Sequence, residues 1–169
     1  MPFSRNKAAN PAADVVIFND EDNLADTIRP RLDAAAADLT RVRSFDGLVT
    51  VADVQDVHPA LIILDPLSDY IGKGGDIPPR QIIRGISRLA KESGAAVLVV
   101  QSAPKTCPWG NEILDVARSV LHITTIGHGR HRIALTKSNL CAVADVPPLL
   151  YHLEPVEHSV RLVGWADSV

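Results

Sequence analysis

The sequence predicts an α/β protein with a mainly parallel sheet that is extended by C-terminal antiparallel strands. Up to about residue 117, short aliphatic runs alternate with helical segments, and beyond that point the runs are strand-like and separated by turns. The hydrophobic fraction is 46% but aromatic residues make up only 4%, so Ala, Val, Ile and Leu must fill the core. Such a composition is typical of buried parallel strands covered by helices.

Length, charge and leader point to one domain in the cytoplasm. The chain has 169 residues and a net charge of −3, with no apolar run long enough to span a membrane. Residues 1–13 are polar and lack the apolar core of a signal peptide, so we expect a flexible leader there and a single domain over 14–169. Cys107 and Cys141 are far apart in sequence, which indicates neither a redox motif nor a disulfide framework.

The elements follow from apolar spacing and from turn residues. Pro30 interrupts one helical segment, Ser93-Gly94 is a plausible helix end, and Gly127-His128-Gly129 predicts a hairpin turn. The predicted strands are Val15–Phe18, one near Val49, Ala60–Leu64, Ala95–Val100, Ser119–Thr125, His131–Lys137, Leu149–Leu153 and Ser159–Val163. The predicted helices are Ala25–Ala37, Val51–Val57, Arg80–Glu92 and Asn111–Ala117.

Polar residues follow three of the predicted strands. Glu21 lies in an Asp-Glu-Asp run after the first strand, Asp65 follows an Ile/Leu run, and Gln101-Ser102 follows another. The carboxyl ends of parallel strands meet at one edge, where ligands bind. A carboxylate at such a position suits Mg²⁺ beside nucleotide phosphates, and a second one could orient an attacking water.

Four segments together resemble the RecA-like ATPase domains of the plasmid RepA helicase type. They are VVIFNDEDNLADTIRPRL, LIILDPLSDYIG, GAAVLVVQS and HRIALTKSNL. The resemblance extends over residues 14–165. It implies a RecA-like three-layer fold and a replication or mobile-element context.

The resemblance also implies roles for individual residues. Asp65 matches the Walker B aspartate that handles Mg²⁺, and Glu21 matches the glutamate that activates water. Gln101 and Ser102 fall where the family has a polar sensor of the γ-phosphate. Lys137 matches a basic residue that can face the nucleotide of a neighbouring subunit. Mg²⁺ and ATP are therefore the implied cofactors if the family activity is retained.

The sequence departs from the family at the phosphate-binding loop. No segment fits G-x-x-x-x-G-K-[ST], because Lys137-Ser138 and Lys105-Thr106 both lack the two preceding glycines. The family's first strand and loop would precede Val15, where we expect only the leader, so the fold is predicted to be truncated at its N-terminus. In the family that strand lies between the Gln101 strand and the Leu121 strand.

This departure predicts assembly rather than independent catalysis. Carboxylates without a phosphate cradle repel ATP. Without the central strand, the two flanking strands either close the gap or leave an apolar edge open, and an open edge invites pairing with another chain. We therefore expect a homo-oligomer that does not hydrolyse ATP alone.

Simpler structural roles compete with each functional one. Asp65 could be a strand-ending turn residue, and Glu21 could be a solvated residue at a helix start. Gln101 and Ser102 could only satisfy backbone groups at a strand end, and Lys137 could be a strand lysine that faces solvent.

Three other functions stay open at the level of sequence. An ATPase fragment whose phosphate loop lies on a separate piece of chain would recover nucleotide-dependent activity. A small nucleic-acid-binding module could use the basic hairpin around Arg130 and Arg132. His128-x-x-His131 with a cysteine would make an unusual zinc site, since paired-ligand spacing is missing.

Overall fold

In the computed structural model the described part of the chain forms two four-stranded sheets, one parallel and one antiparallel. The structure describes residues 11–45, 51–67, 78–102, 110–156 and 159–165. These residues fall into two units, one formed by 11–29 and 37–116 and the other by 30–36 and the chain from 117 onward. Each unit contains one of the two sheets.

The parallel sheet has four strands in the order β2-β1-β3-β4. Its strands are β1 (Val15–Asn19), β2 (Val42–Phe45), β3 (Leu61–Asp65) and β4 (Ala96–Val99). Every pair in it is parallel. The predicted alternation of strands and helices is therefore confirmed for this part of the chain.

The helices are mostly short. They are α1 (Arg29–Ala34), α2 (Val51–Gln55), α3 (Pro79–Ser93) and α4 (Gly110–Val116), with 3-10 turns at Leu39–Arg41 and Val143–Asp145. A π-helical turn, Leu24–Ile28, runs into α1, so the helix predicted over 25–37 is shorter and divided. Pro30, the second residue of α1, has no N–H to donate and comes directly after this irregular turn.

The predicted strand near Val49 lies outside the described residues. β2 spans Val42–Phe45, where no strand was predicted. An Arg and a Ser inside β2 weaken the apolar signal that the prediction needed. Phe45 nevertheless joins the core, since its ring stacks on Phe18 with centroids 5.3 Å apart.

The core of the first unit lies against one face of the parallel sheet. Alternate residues of β1 and β3 are buried on this face, and residues of α2 and α3 pack against them. The buried cluster consists of Val16, Phe18, Val54, Ile62, Leu64, Leu89 and Ala95. Val97 and Val99 of β4 are partly buried against it. The aliphatic core that the composition predicts is therefore present.

The second sheet is an antiparallel meander. Its strands are β5 (Ser119–Gly127), β6 (Arg130–Ser138), β7 (Leu149–Val156) and β8 (Ser159–Trp165), paired in chain order. The predicted hairpin is confirmed, because His128 and Gly129 connect β5 to β6 with φ of 52° and 69°. Two consecutive positive φ angles define the type I′ turn that tight hairpins favour.

β4 and β5 follow each other in chain order but belong to different sheets. β4 is the last strand of the parallel sheet and β5 the first strand of the antiparallel sheet. Among the described residues, no strand pairs with the outer side of either one. Within these residues, β4 and β5 are not paired with each other.

Candidate functional site

The parallel register brings three strand ends to the same edge of the first sheet. Asn19 at the end of β1 lies beside Asp65 at the end of β3, and Leu64 lies beside Val99 at the end of β4. Neighbouring strands are about 4.8 Å apart, so β1 and β4 are separated by about 10 Å. The predicted convergence of the acidic loop, Asp65 and Gln101 on one edge is therefore present.

A buried asparagine organises the acidic loop after β1. Asn19 is only 4% exposed, and its side-chain oxygen accepts hydrogen bonds from the backbone N–H groups of Glu21 (3.1 Å) and Asp22 (2.7 Å). Glu21 itself is exposed. Asn19 thus fixes the backbone from which the Glu21 carboxylate projects, as asparagine does in many turns.

Sequence reasoning missed Asn19. The available signal was an asparagine directly after the apolar run of Val15–Phe18, a residue type that closes turns by bonding backbone groups two and three residues on. The three acidic residues that follow Asn19 give a stronger sequence signal than a single asparagine does. Asn19 is a positioning residue for this edge.

The segment after Asp65 is tied to the end of β4. The Val100 N–H donates to the Leu64 carbonyl and the Leu67 N–H donates to the Val100 carbonyl, both at 2.9 Å. Asp65 is partly buried, and Leu67 is fully buried. These bonds extend the pairing of β3 with β4 and hold Gln101 next to the Asp65 turn.

The Gln101 side chain bonds within its own chain segment. Its amide nitrogen donates to the Ser102 carbonyl oxygen at 3.1 Å. This contact agrees with the simpler interpretation that the pair satisfies backbone groups at a strand end. The role of phosphate sensor remains a prediction for both residues.

A metal ion at this edge would depend on few protein ligands. Within the part of the chain that the structure describes, no three His, Cys, Asp or Glu side chains are grouped to hold a metal. Mg²⁺ is commonly held by one or two carboxylates together with substrate phosphates. Asp65 could supply such a carboxylate, but the sequence offers no phosphate loop to bring the phosphates.

The other predicted residues lie in the antiparallel sheet. Lys137 is in β6 opposite Val120 and is partly buried. Arg130 and Arg132 are exposed and two residues apart in β6, so both lie on the same face of the sheet. These three residues therefore belong to the antiparallel sheet, whereas Asp65 and the Glu21 loop belong to the parallel one.

Comparison with solved structures identifies the fold. The match with the flagellar accessory protein FlaH from Methanocaldococcus jannaschii covers 89% of this chain and 76% of the FlaH chain, with a TM-score of 0.61 and 12% sequence identity. The match with a KaiC-like protein from Pyrococcus horikoshii OT3 covers 90% of this chain and 76% of the KaiC-like chain, with a TM-score of 0.60 and 14% sequence identity. The chain has a RecA-like fold.

The evidence for the RecA-like fold is structural. No family model and no curated protein matches the sequence. At 12% and 14% identity the likeness extends to the fold alone, so the RepA type stays a prediction from the four sequence segments. Among the described helices of this RecA-like domain, none is long and apolar enough to cross a membrane.

Proposed function

We propose that this protein is a degenerate RecA-like domain of the RepA type, which acts through self-association and does not hydrolyse ATP alone. The observation that carries the proposal is a RecA-like carboxylate edge in a sequence with no match to the phosphate-binding loop. The register of Asn19 beside Asp65 supports the proposal. The groups that would attract the phosphates are not encoded in these residues.

Electrostatics opposes nucleotide binding at this edge. Asp20, Glu21 and Asp22 follow the carboxyl end of β1, and Asp65 is the last residue of β3. In RecA-like ATPases a lysine and aligned backbone N–H groups offset the charge of the triphosphate. Carboxylates without such groups beside them disfavour a polyanion, which supports the proposal.

Titration calorimetry with Mg·ATP and Mg·ADP tests the catalytic half of the proposal. We expect no saturable heat at millimolar nucleotide for the wild type. Asp65→Ala should behave identically, as should Asp56→Ala, which removes an exposed carboxylate just beyond α2. Saturable binding that Asp65→Ala abolishes and Asp56→Ala preserves would instead establish the alternative, an ATPase fragment with nucleotide-dependent activity and Mg²⁺ held at Asp65.

Light scattering tests the assembly half. We expect the weight-average mass to rise above that of the 18.2 kDa monomer as concentration increases through the micromolar range. The physical reason is the unpaired apolar edge strand, which leaves backbone donors and acceptors available to another chain. A strictly monomeric species at high micromolar concentration contradicts self-association.

Nucleic-acid binding is the second candidate, and one observation favours it. The exposed Arg130 and Arg132 share a face of β6, and His122 occupies the same face of the neighbouring β5. Two arginines release few counterions, so the expected affinity is weak and its salt dependence shallow. Fluorescence anisotropy with a labelled single-stranded oligonucleotide, compared between the wild type and Arg132→Gln at low salt, decides it.

A further inference from the structure

The outer edge of β4 lacks the features that usually protect an edge strand. Its residues Ala96–Val99 are all apolar, with no charge and no proline. Leu98 in β4 is 44% exposed. Val100, the residue directly after β4, is 37% exposed. The opposite edge of the same sheet is β2, where the exposed Arg43 provides a protecting charge.

The backbone of β4 shows which groups are available on that edge. The Ala96 N–H donates to the Ala60 carbonyl at 3.0 Å and the Val100 N–H donates to the Leu64 carbonyl at 2.9 Å, so these residues bond inward to β3. In a parallel ladder, alternate residues direct their backbone groups to opposite sides. Val97 and Val99 therefore direct N–H and C=O outward, one on each side of Leu98.

We propose that β4 pairs antiparallel with β4 of a second copy of this chain, about a two-fold axis at Leu98. The inference rests on the proposed self-association and identifies its surface. Val97 of each copy faces Val99 of the other, which gives two hydrogen-bonded pairs. Each pair exchanges two backbone hydrogen bonds, so the interface has four. Leu98 faces Leu98 as the pair without backbone bonds, with Cα atoms about 4.5 Å apart.

The symmetry of the edge favours a second copy as the occupant. The outward groups of Val97 and Val99 are placed evenly about Leu98, so the same edge rotated by two-fold symmetry offers a donor to every acceptor. No charged side chain lies in β4 to repel its own copy, and the exposed Leu98 side chains are buried against each other. Two-fold dimers with one self-complementary patch are the commonest closed oligomers.

The size of the edge limits the strength of the dimer. Stable interfaces bury about 800 Å² on each partner, more than a strand of about five residues supplies by itself. We therefore expect a dimer that forms at micromolar or higher concentration and dissociates on dilution. This agrees with the concentration-dependent mass expected in light scattering.

Cysteine cross-linking tests the register of the pairing. In a background with both native cysteines replaced by serine, oxidised Leu98→Cys should form a covalent dimer on a non-reducing gel, because a Cα separation of about 4.5 Å lies within the disulfide range. Ala96→Cys and Val100→Cys should each stay uncross-linked alone, since equivalent positions lie about 13 Å apart. Mixed together, these two variants should cross-link, because residue 96 faces residue 100.

The controls separate this inference from the proposed self-association. Arg43→Cys on the opposite edge should not cross-link, and Leu98→Lys should weaken the dimer at least tenfold with an unchanged circular dichroism spectrum. If the wild type dimerises but Leu98→Cys does not cross-link, or all cysteine variants cross-link alike, the β4 interface is wrong and self-association stands. If the wild type is monomeric at high micromolar concentration, self-association itself is wrong.

Discussion

The two sheets of this protein are stabilised in different ways. Every member of the buried cluster belongs to the parallel sheet, to its helices or to the turn before β4. Among the described side chains of the antiparallel sheet, only that of Tyr151 is buried, and it stacks on His131 with ring centroids 5.0 Å apart. Leu121 and Ile123 of β5 are 58% and 57% exposed.

This difference shows that the same aliphatic residue types contribute unequally in the two regions. In the first, removal of apolar area from water supplies the stability. In the second, backbone hydrogen bonds between strands, cross-strand side-chain pairs and a tight turn contribute more of the stability, because little apolar area is buried. Substitutions should therefore be costly in the core of the parallel sheet and mild on the meander, unless they alter the backbone.

The largest effect is expected for Phe18→Ala in β1. Phe18 is 1% exposed and stacks on Phe45, so its truncation should lower the free energy of unfolding by about 3–5 kcal/mol. Ile123→Ala on β5 should lower it by less than about 1 kcal/mol, because more than half of Ile123 is already exposed. Urea denaturation followed by circular dichroism measures both. Equal losses would show that the meander has a core of its own.

The next effect concerns one side chain in each unit whose oxygen accepts hydrogen bonds from backbone N–H groups of a turn. Asn19→Ala should lower the free energy of unfolding by about 1–3 kcal/mol, because it leaves the N–H groups of Glu21 and Asp22 without their buried acceptor. Ser138 makes the comparable contacts in an exposed turn, where its Oγ accepts from Leu140 at 3.0 Å and Cys141 at 3.2 Å. Ser138→Ala should lower it by less than about 1 kcal/mol, since water replaces the hydroxyl.

The same denaturation experiment measures this pair. A loss for Ser138→Ala as large as that for Asn19→Ala contradicts the comparison, because burial is the only difference invoked. Asn19→Asp keeps an acceptor oxygen but adds a charge beside Asp20 and Asp22. It should therefore fall between the wild type and Asn19→Ala.

The sequence predicted those parts of the fold that depend on simple patterns. Unbroken aliphatic runs located β1, β3 and β4, and the glycines around His128 located the hairpin. β2 was not predicted, because an edge strand needs only one apolar face, and Arg43 and Ser44 interrupt its apolar run. The π-helical turn before α1 could not be foreseen, since helical periodicity does not specify how a helix begins.

The candidate site was predictable to the level of the sheet edge. Topology alone brings the carboxyl ends of β1, β3 and β4 together, so Asp65, the Glu21 loop and Gln101 were placed correctly without side-chain information. The role of Asn19 was not predictable, because it depends on burial and on the direction of one amide group. The bond from Gln101 to the Ser102 carbonyl depends likewise on a rotamer that no sequence pattern fixes.

A third prediction compares backbone strain in the two units. Gly129 in the β5–β6 turn has φ of 69° and Gly94 at the end of α3 has φ of 70°, and no atom lies within 4 Å of a Cβ added at either position. Gly129→Ala and Gly94→Ala should therefore each cost about 1 kcal/mol through conformation alone. Thermal unfolding measures both, and His128→Asn should raise stability slightly, because asparagine tolerates positive φ well. Unequal losses for the two glycine variants would contradict a purely conformational cost.

The smallest effect is a pH dependence at the exposed turn before β2. The Thr40 hydroxyl donates to Asp38 at 2.6 Å, and this bond, followed by the one from the Thr40 N–H, lowers the pKa of the Asp38 carboxyl below its ordinary value. A carboxyl with a lowered pKa in the folded state stabilises that state above its unfolded pKa, and the contribution is lost as the pH falls through the folded pKa. Asp38→Asn should therefore be slightly less stable than the wild type at pH 7, and the difference should shrink as the pH falls below the ordinary pKa of an aspartate. Thr40→Val, which removes only the hydroxyl, should show a smaller change of the same sign in urea denaturation, and a difference that grows as the pH falls would contradict this assignment.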